Sequence, residues 1–419
     1  MSTSASARLP DVLAPVQAEQ AMSPSASLLL CLSHLRWDFV FQRPQHLLTR
    51  AAGEWRVLFH EEPIFDQISS AQTRRRIVAP NIEVITPHLP AGLNGEAVIE
   101  AQRKLLDQLL AEERAAPDVL WYYTPMALPM SRHIECGLRV YDCMDELSGF
   151  LGAPPALIAL EQELMREADV VFTGGISLYE AKSDRHDNIH AFPSSIDAGH
   201  FGRSRGGRLP IPEDLTDVPM PRLVYFGVID ERMDLALVDE LARLRPDWSV
   251  VMIGPVVKIS PETLPQRPNI HWLGMKPYEA LPAYLAHASA GIMPFAINAA
   301  TRFISPTKTP EFLAAGLPVV STPIRDVVRS YGAAGLVAIA PDAQGFVAGL
   351  QERLARPPAD WLDRVDATLS KGSWNQTWER MASILRDTAN RKAHDKEHEQ
   401  DDGRASPAVA AFRSPLSPL

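Results

Sequence analysis

Cysteine is scarce in this 419-residue sequence, and so are long apolar runs and positive charge. The cysteines Cys31, Cys136 and Cys143 have no metal-binding spacing and cannot all pair, so we expect reduced residues in a cytoplasmic protein. We expect neither a signal peptide nor a membrane span, because no run approaches ~18 apolar residues. The formal net charge of -10 argues against nucleic acid as a partner, because a polyanion needs a basic face.

What the chain does contain is a recurring alternation of short apolar runs and helical patterns, which is typical of parallel sheets covered by crossover helices. We predict an α/β fold of two Rossmann-like parallel-sheet domains that face a central cleft. The predicted segments are a disordered tail (1–26), a first domain (27–201), a linker without periodicity (202–221), a second domain (222–372), a crossover helix (373–388) and a disordered tail (389–419).

The predicted strands are the apolar runs of these two domains. They span 27–33, 56–61, 82–87, 118–124, 138–144, 169–174 and 188–193 in the first domain, and 222–229, 249–256, 269–274, 290–295, 317–322 and 335–340 in the second. In parallel sheets, ligands bind at the carboxyl ends of the strands. The loops that follow these runs therefore carry the functional information.

Polar and aromatic residues follow two strands of the first domain. The first loop lacks a G-x-G-x-x-G pattern, which disfavours a nicotinamide or flavin enzyme. It carries His34, Trp37 and Asp38, a mixture that suits a sugar, although a surface loop with Trp37 packed on the domain below fits as well. Asp145 follows a later strand, where a carboxylate could orient or deprotonate a hydroxyl; a helix-capping role is the alternative.

Charged residues and one asparagine also follow the strands of the second domain. They are Asp230, Glu231 and Arg232 after one strand, Lys258 after the next, and Asn298, Arg302 and Lys308 before a helix. Each of them alone fits a solvated surface charge. Their placement at one edge of one sheet predicts a cationic pocket in a chain that is acidic overall.

Lys308 is predicted near the start of a helix that has Thr307 as N-cap and Pro310 in its first turn. A cation there opposes the helix dipole unless an anion is bound, and a helix N-terminus with a lysine suits phosphate. Glu311, one turn on, could accept hydrogen bonds from hydroxyls such as those of a ribose. Phosphate plus diol indicates a nucleotide; an exposed Lys308–Glu311 pair, worth ~0.3–0.5 kcal/mol, is the alternative.

The segment KTPEFLAAGLPVVST (308–322) resembles the donor-binding motif of GT-B glycosyltransferases that use nucleotide-diphosphate sugars. SHLRWDFVFQRPQHLLTR, YDCMDELSGF, YFGVIDERMDL, IGPVVK, NIHWLG and SWNQTW extend the resemblance over 27–385, and they are similar to bacterial teichuronic-acid and exopolysaccharide enzymes. The resemblance implies that Glu311 binds the donor ribose and that Lys308 and Arg232 bind the diphosphate. It places Gly274 and Met275 near the base.

Other members of the donor site are predicted with less direct support from the resemblance. Lys258 and Arg302 are added from their loop positions, and Thr307 from its place at the helix start. Better-known members carry a second Glu eight residues before the one that matches Glu311, and here that position is Phe303. Asn298 or a backbone group would then contact the donor sugar in its place.

The resemblance implies retaining transfer of a hexose-type sugar from a UDP or GDP sugar to a saccharide or lipid-linked acceptor in polysaccharide synthesis. No D-x-D arrangement follows a strand, so we expect no metal and no cofactor. An inverting enzyme would need a base, for which Asp145, Asp38 and His34 are candidates. A lipid-linked acceptor would require peripheral contact with the inner face of the membrane. The alternatives are an inactive nucleotide-sugar binding protein and a sugar-nucleotide epimerase of the same fold.

Overall fold

The computed structural model describes residues 27–355 and 359–404, which form two α/β domains with one sheet each. The strands of both sheets pair in parallel, apart from one antiparallel edge strand. The predicted fold of two parallel-sheet domains is confirmed. None of the helices within the described residues combines the length and apolarity that crossing a membrane requires.

The first domain contains a nine-stranded sheet. Its strands are β1 (Leu28–Leu32), β2 (Arg56–His60), β3 (Ile64–Asp66), β4 (Gln72–Ala79), β5 (Ile82–Pro90), β6 (Val119–Tyr122), β7 (Leu138–Cys143), β8 (Val170–Thr173) and β9 (Ile189–Ala191). Their spatial order is β3-β5-β2-β1-β6-β7-β8-β9, and β4 pairs antiparallel with β5. The central strand β1, with the sequence LLLCL, is buried throughout, as a strand covered on both faces must be.

The second domain contains a six-stranded parallel sheet. Its strands are β10 (Arg222–Phe226), β11 (Ser249–Ile253), β12 (Ile270–Gly274), β13 (Ala290–Met293), β14 (Val319–Ser321) and β15 (Val337–Ile339). Their order is β12-β11-β10-β13-β14-β15, so the chain leaves β10 toward β11 on one side and returns to β13 on the other. A reversal of this kind opens a crevice at the carboxyl ends of the two strands.

Helices cover the sheets and connect their strands. They are α1 (Arg43–Ala51), α2 (Gly95–Glu113), α3 (Leu128–Ser131), α4 (Leu157–Glu167), α5 (Ile176–Lys182), α6 (Ala198–Gly202), α7 (Leu235–Leu244), α8 (Leu281–Ala286), α9 (Lys308–Ala314), α10 (Arg325–Val327), α11 (Ala343–Ala355), α12 (Trp361–Leu369) and α13 (Trp374–Arg404). Helix α9 begins at the residue that the sequence predicted, with Thr307 before it.

Strands β3 and β4 have no counterpart among the predicted strands. The sequence of β4, QTRRRIVA, contains no apolar run, and most of its residues are exposed. The strand is instead stabilised by pairing with β5 and by charge: Arg75 forms ion pairs with Glu83 and Glu113. A prediction based on apolar runs misses a strand of this kind, because backbone pairing and ion pairs stabilise it rather than a buried face.

Helix α13 crosses back to the first domain, where Trp374, Trp378 and Met381 are buried in its core. The helix continues to Arg404, so residues 389–404 are helical and the prediction of a disordered tail from 389 is corrected there. The physical reason is that the stretch extends a helix already packed on the first domain, and nine of its sixteen residues are Ala, Arg, Lys, Glu or Gln, which have high helix propensity. The predicted tail at 1–26 and the remainder of the C-terminal one, 405–419, lie outside the described residues.

The two domains meet at the N-terminus of α5, where a carboxylate of the second domain caps a helix of the first. Ile176 N donates to Asp326 Oδ2 at 2.9 Å, and Ser177 N donates to Asp326 Oδ1 at 3.1 Å. Gly175 makes this approach possible, because a Cβ there would lie 2.7 Å from Asp326 Oδ2. Phe303, from the loop before α9, packs against the core of the first domain nearby.

Candidate functional site

Lys308 lies at the crevice between β10 and β13, in the first turn of α9. Its side chain extends along Gly227, the residue that follows β10: a Cβ at Gly227 would lie 2.6 Å from Lys308 Cε. Gly227 also has a φ of 136°, which side chains rarely tolerate, so glycine is required there for two reasons. The glycine leaves space for an amine at the carboxyl end of the central strand.

The Lys308 amine is half-buried and donates to Thr307 Oγ1 at 3.3 Å. Burial lowers the pKa of Lys308, and the positive charge of Arg232 lowers it further, while nearby carboxylates, Glu311 first, oppose the shift. Within the described residues, Lys308 forms no ion pair. A bound anion would stabilise the charged form of this amine, whose pKa burial lowers and which has no ion-pair partner among the described residues.

Glu311 lies one turn further along α9 and is only 8% exposed. Burial raises the pKa of Glu311 to about 7, although the charge of Lys308 and a hydrogen bond with Thr307 act in the opposite direction. Its Oε2 is buried and has no hydrogen-bond partner among the described residues. The alternative of an exposed Lys308–Glu311 surface pair is therefore wrong, and a buried acceptor without a donor among the described residues costs free energy.

Arg232 lies in the loop after β10 and forms a partly buried ion pair with Asp230, with an N–O distance of 2.7 Å. Its guanidinium also lies 5.1 Å from the ring centroid of Phe150, a residue of the first domain. The amine of Lys258 lies 4.5 Å from the same ring and 3.8 Å from Glu231. Phe150 thus contacts two cations of the opposite domain, which is a cation–π interaction across the cleft.

Asp145 faces this cationic group from the first domain. Burial raises the pKa of Asp145, while the charges of Arg232 and Lys308 partly offset that effect. The helical turn that follows has no side-chain cap, so the helix-capping alternative does not apply to Asp145. The neighbouring Glu146 forms an ion pair with the buried Lys182 at 2.8 Å, which fixes the loop that carries Asp145.

His34 lies at the end of β1 and is neutral at ordinary pH, because burial, and next the charge of Lys258, lowers its pKa to about 4. Its Nδ1 is buried without a partner among the described residues. In the same loop, Trp37 packs edge-on against Phe59 with ring centroids 5.1 Å apart, as the surface-loop alternative predicted. The loop therefore combines one packing residue with one histidine near the cleft.

Several predicted site residues lie elsewhere or already have partners. Asp38 is exposed and pairs with Arg76 on β4, so the structure does not bring it to Lys308. Asn298 is exposed and caps the turn at 299–301: its Oδ1 accepts from Thr301 N at 3.1 Å, and its Nδ2 donates to Glu231 O at 3.0 Å. A side chain bound in this way is not available to replace the carboxylate missing at Phe303.

The remaining predicted residues lie at the rim. Arg302 is exposed, with its guanidinium 5.1 Å from the ring centroid of Phe303. Gly274 and Met275 are exposed at the carboxyl end of β12, and Gly274 O accepts from Gly254 N at 2.9 Å. Thr307 contacts Lys308 and Glu311 through its side chain and does not cap α9.

Sequence reasoning missed Tyr278, which lies in the turn after β12. Burial, and next the carboxylate of Glu311, raise the pKa of Tyr278, and its hydroxyl is buried without a partner among the described residues. Its position in a loop at the carboxyl end of a strand was the available signal. In the sequence alone, a tyrosine in such a loop cannot be told from an ordinary core residue, because the residues that surround it come from distant parts of the chain.

Residues 220–356 match the family model described as "Glycosyl transferases group 1". The chain is also similar to TuaH of Bacillus subtilis (strain 168), which is named "Putative teichuronic acid biosynthesis glycosyltransferase". The two sequences are 25% identical over 235 residues, which are 52% of this chain. The matched region spans 59% of the length of that relative.

Solved structures resemble the chain over a larger part of its length. The sucrose-phosphate synthase of Thermosynechococcus elongatus has a TM-score of 0.64 at 14% identity, over 86% of this chain and 98% of that one. The trehalose-6-phosphate protein of E. coli bound with UDP-2-fluoro glucose has a TM-score of 0.61 at 12% identity, over 86% and 99%. At such low identity these likenesses show the fold. The chain thus has the GT-B fold, and residues 220–356 are similar to the group 1 glycosyl transferases.

Proposed function

We propose that the protein is a glycosyltransferase that moves a hexose-type sugar from a nucleotide-diphosphate sugar, with UDP or GDP as the leaving group, to a saccharide or lipid-linked acceptor. The observation that carries the proposal is the first turn of α9. Lys308 there forms no ion pair within the described residues, and Glu311 Oε2 is buried without a partner. The amine suits a diphosphate and the carboxylate suits the hydroxyls of a ribose.

In the proposed reaction, the bond between the anomeric carbon and the diphosphate oxygen breaks, and the acceptor hydroxyl oxygen bonds to that carbon. Negative charge then accumulates on the leaving diphosphate. Lys308 and Arg232 lie where they could stabilise it, and fixed cations of this kind act most strongly in a site from which water is excluded. We therefore propose transfer that needs no metal, and addition of a chelator tests this directly.

The stereochemical outcome decides which group takes the acceptor proton. In the retaining transfer that we propose, an oxygen of the leaving diphosphate takes it. An inverting enzyme would use a base, and Asp145 and His34 lie closer to the cationic group than Asp38, which is exposed and paired with Arg76. Burial raises the pKa of Asp145 and thereby makes its carboxylate a stronger base.

The relative supports a proposal for the biological setting. TuaH is named for teichuronic acid biosynthesis, and we propose a comparable role in cell-surface polysaccharide synthesis for this chain. A cytoplasmic protein that docks at the inner face of the membrane would fit a lipid-linked acceptor. The names of the structural relatives, one of them bound with UDP-2-fluoro glucose, support a nucleotide-sugar donor.

The test is to supply purified protein with radiolabelled UDP- and GDP-hexoses, with and without lipid-linked saccharide, and to follow the label. Transfer, or slow donor hydrolysis without acceptor, supports the proposal. A label that remains on the nucleotide in a different sugar would indicate an epimerase instead. Anomeric proton coupling in the product separates retention from inversion, and the same assay in the presence of EDTA tests the metal-independent mechanism.

A nucleotide-sugar binding protein without transferase activity is a second candidate, and Phe303 favours it. The side chain at this position packs against the core of the first domain and offers no carboxylate to a donor sugar. This candidate predicts tight donor binding with neither hydrolysis nor transfer. Calorimetry on the same donors, combined with the label assay, distinguishes the two candidates.

A further inference from the structure

The hydroxyl of Tyr278 is buried, and among the charged groups around it the carboxylate of Glu311 raises its pKa most. Neither the Tyr278 hydroxyl nor Glu311 Oε2 has a hydrogen-bond partner among the described residues, and the two groups do not bond to each other. They come from different elements, the turn after β12 and the helix after β13. Both elements follow the carboxyl ends of strands in one sheet, and two buried polar atoms that interact electrostatically while both lack a partner indicate a shared ligand.

The ring of Tyr278 is packed too closely to offer a face to a ligand. It stacks on His200 with centroids 4.1 Å apart and on Phe41 with centroids 4.6 Å apart. The rings of Phe201 and His46 contact it edge-on, at 5.6 Å and 5.8 Å. The hydroxyl is therefore the group that Tyr278 can present, and the surrounding rings fix its direction.

The chemistry of the pair restricts the ligand. An ionised carboxylate only accepts hydrogen bonds, whereas a phenol both donates and accepts. A ligand that satisfies both atoms needs one hydroxyl to donate to Glu311 and a neighbouring oxygen to bond Tyr278. A vicinal diol has this arrangement, and a ribose carries one.

We propose that Tyr278 is a donor-binding residue whose hydroxyl bonds one of the two ribose hydroxyls of the nucleotide, while Glu311 bonds the other. This inference rests on the proposed function, which supplies the nucleotide. It also predicts a specificity: the site distinguishes ribonucleotides from deoxyribonucleotides through Tyr278 and Glu311 together, rather than through Glu311 alone. Phe41 belongs to the first domain, so the contact that orients Tyr278 also crosses the domain boundary.

The experiment compares Tyr278→Phe with the wild type by calorimetric titration of UDP, GDP and their 2′-deoxy and 3′-deoxy analogues. The substitution keeps the stacked ring and removes one hydroxyl. We expect the ribonucleotide to bind Tyr278→Phe about five- to tenfold more weakly than wild type, as for one lost hydrogen bond. The deoxy analogue that lacks the hydroxyl bonded by Tyr278 should bind wild type and variant equally. Tyr284→Phe is the matched control, because the Tyr284 hydroxyl bonds Asp214 at 2.8 Å instead.

Unchanged ribonucleotide affinity in Tyr278→Phe, or an equal loss for every analogue, would overturn the assignment of Tyr278. If Glu311→Gln still weakened binding in that case, the proposed function would stand without this residue. If wild-type protein bound neither UDP nor GDP, the proposed function would fail and the tyrosine inference with it. Far-ultraviolet circular dichroism of each variant establishes that the fold is retained.

Discussion

Two buried carboxylates at the domain boundary have opposite environments. Asp326 is 4% exposed and accepts hydrogen bonds from Ile176 N, Ser177 N and the Ser177 hydroxyl. Glu311 is 8% exposed, yet its Oε2 has no partner among the described residues. The first carboxylate finds its donors within the protein and joins the domains. Burial of the second carboxylate without a donor costs desolvation free energy, and hydrogen bonds from a ligand would offset that cost.

The largest effect is expected for Asp326→Ala. The substitution leaves buried N–H groups at the start of α5 without an acceptor and removes a contact between the domains. We expect a loss of about 2–3 kcal/mol of unfolding free energy, together with an opening of the domains. Urea denaturation and small-angle scattering measure the two effects.

The matched control for Asp326 is Glu180→Gln in the same interface. Glu180 is exposed and forms surface ion pairs with Arg325 and Arg329. Such pairs contribute little, so the control should leave both the denaturation midpoint and the scattering profile close to wild type. Equal effects of the two substitutions would mean that burial does not distinguish these carboxylates.

Of these two carboxylates, the sequence alone predicts a role for Glu311 but not for Asp326. Glu311 and Lys308 are three residues apart on a helix whose start and end are marked by Pro310 and Gly316, so local pattern reveals them. Asp326 acquires its role only from α5, about 150 residues away, and no local pattern encodes that pairing. The same is true of Tyr278, whose neighbours come from both domains.

Asp38 and Asn298 also show that local sequence does not reveal tertiary contacts. Both follow predicted strands, as functional residues do, but Asp38 turns outward to Arg76 and Asn298 caps its own turn. Loop position therefore predicts which edge of the sheet a residue reaches, while the direction of its side chain depends on tertiary contacts. Strand positions were predictable because buried parallel strands require continuous apolar runs.

A second, smaller effect is expected for the cation beside Glu311. Lys308→Met keeps an apolar stem against Gly227 but removes the charge, so it isolates the electrostatic contribution. We expect UDP or GDP to bind about 10- to 100-fold more weakly, because hydrogen bonds to charged groups contribute ~1.5–3 kcal/mol, and the parent nucleoside to bind unchanged. Calorimetry with both ligands measures the difference. Equal losses for nucleoside and diphosphate would contradict a role for Lys308 at the phosphates.

The smallest effect is the pH dependence of donor binding through Glu311, the carboxylate without a partner. Burial raises the pKa of Glu311 from 4.5 to about 7, so the folded protein retains a proton that the unfolded chain releases, and the stability from this residue falls as pH rises across that window.

Only the ionised form accepts two hydrogen bonds from a diol. Donor binding should therefore strengthen about tenfold between about pH 6 and about pH 8. UDP-glucose is the suitable probe, since its phosphates do not titrate in this range, and Glu311→Gln should give a flat profile. A slope that persists in Glu311→Gln would assign the titration to another group and remove the distinction between the two carboxylates.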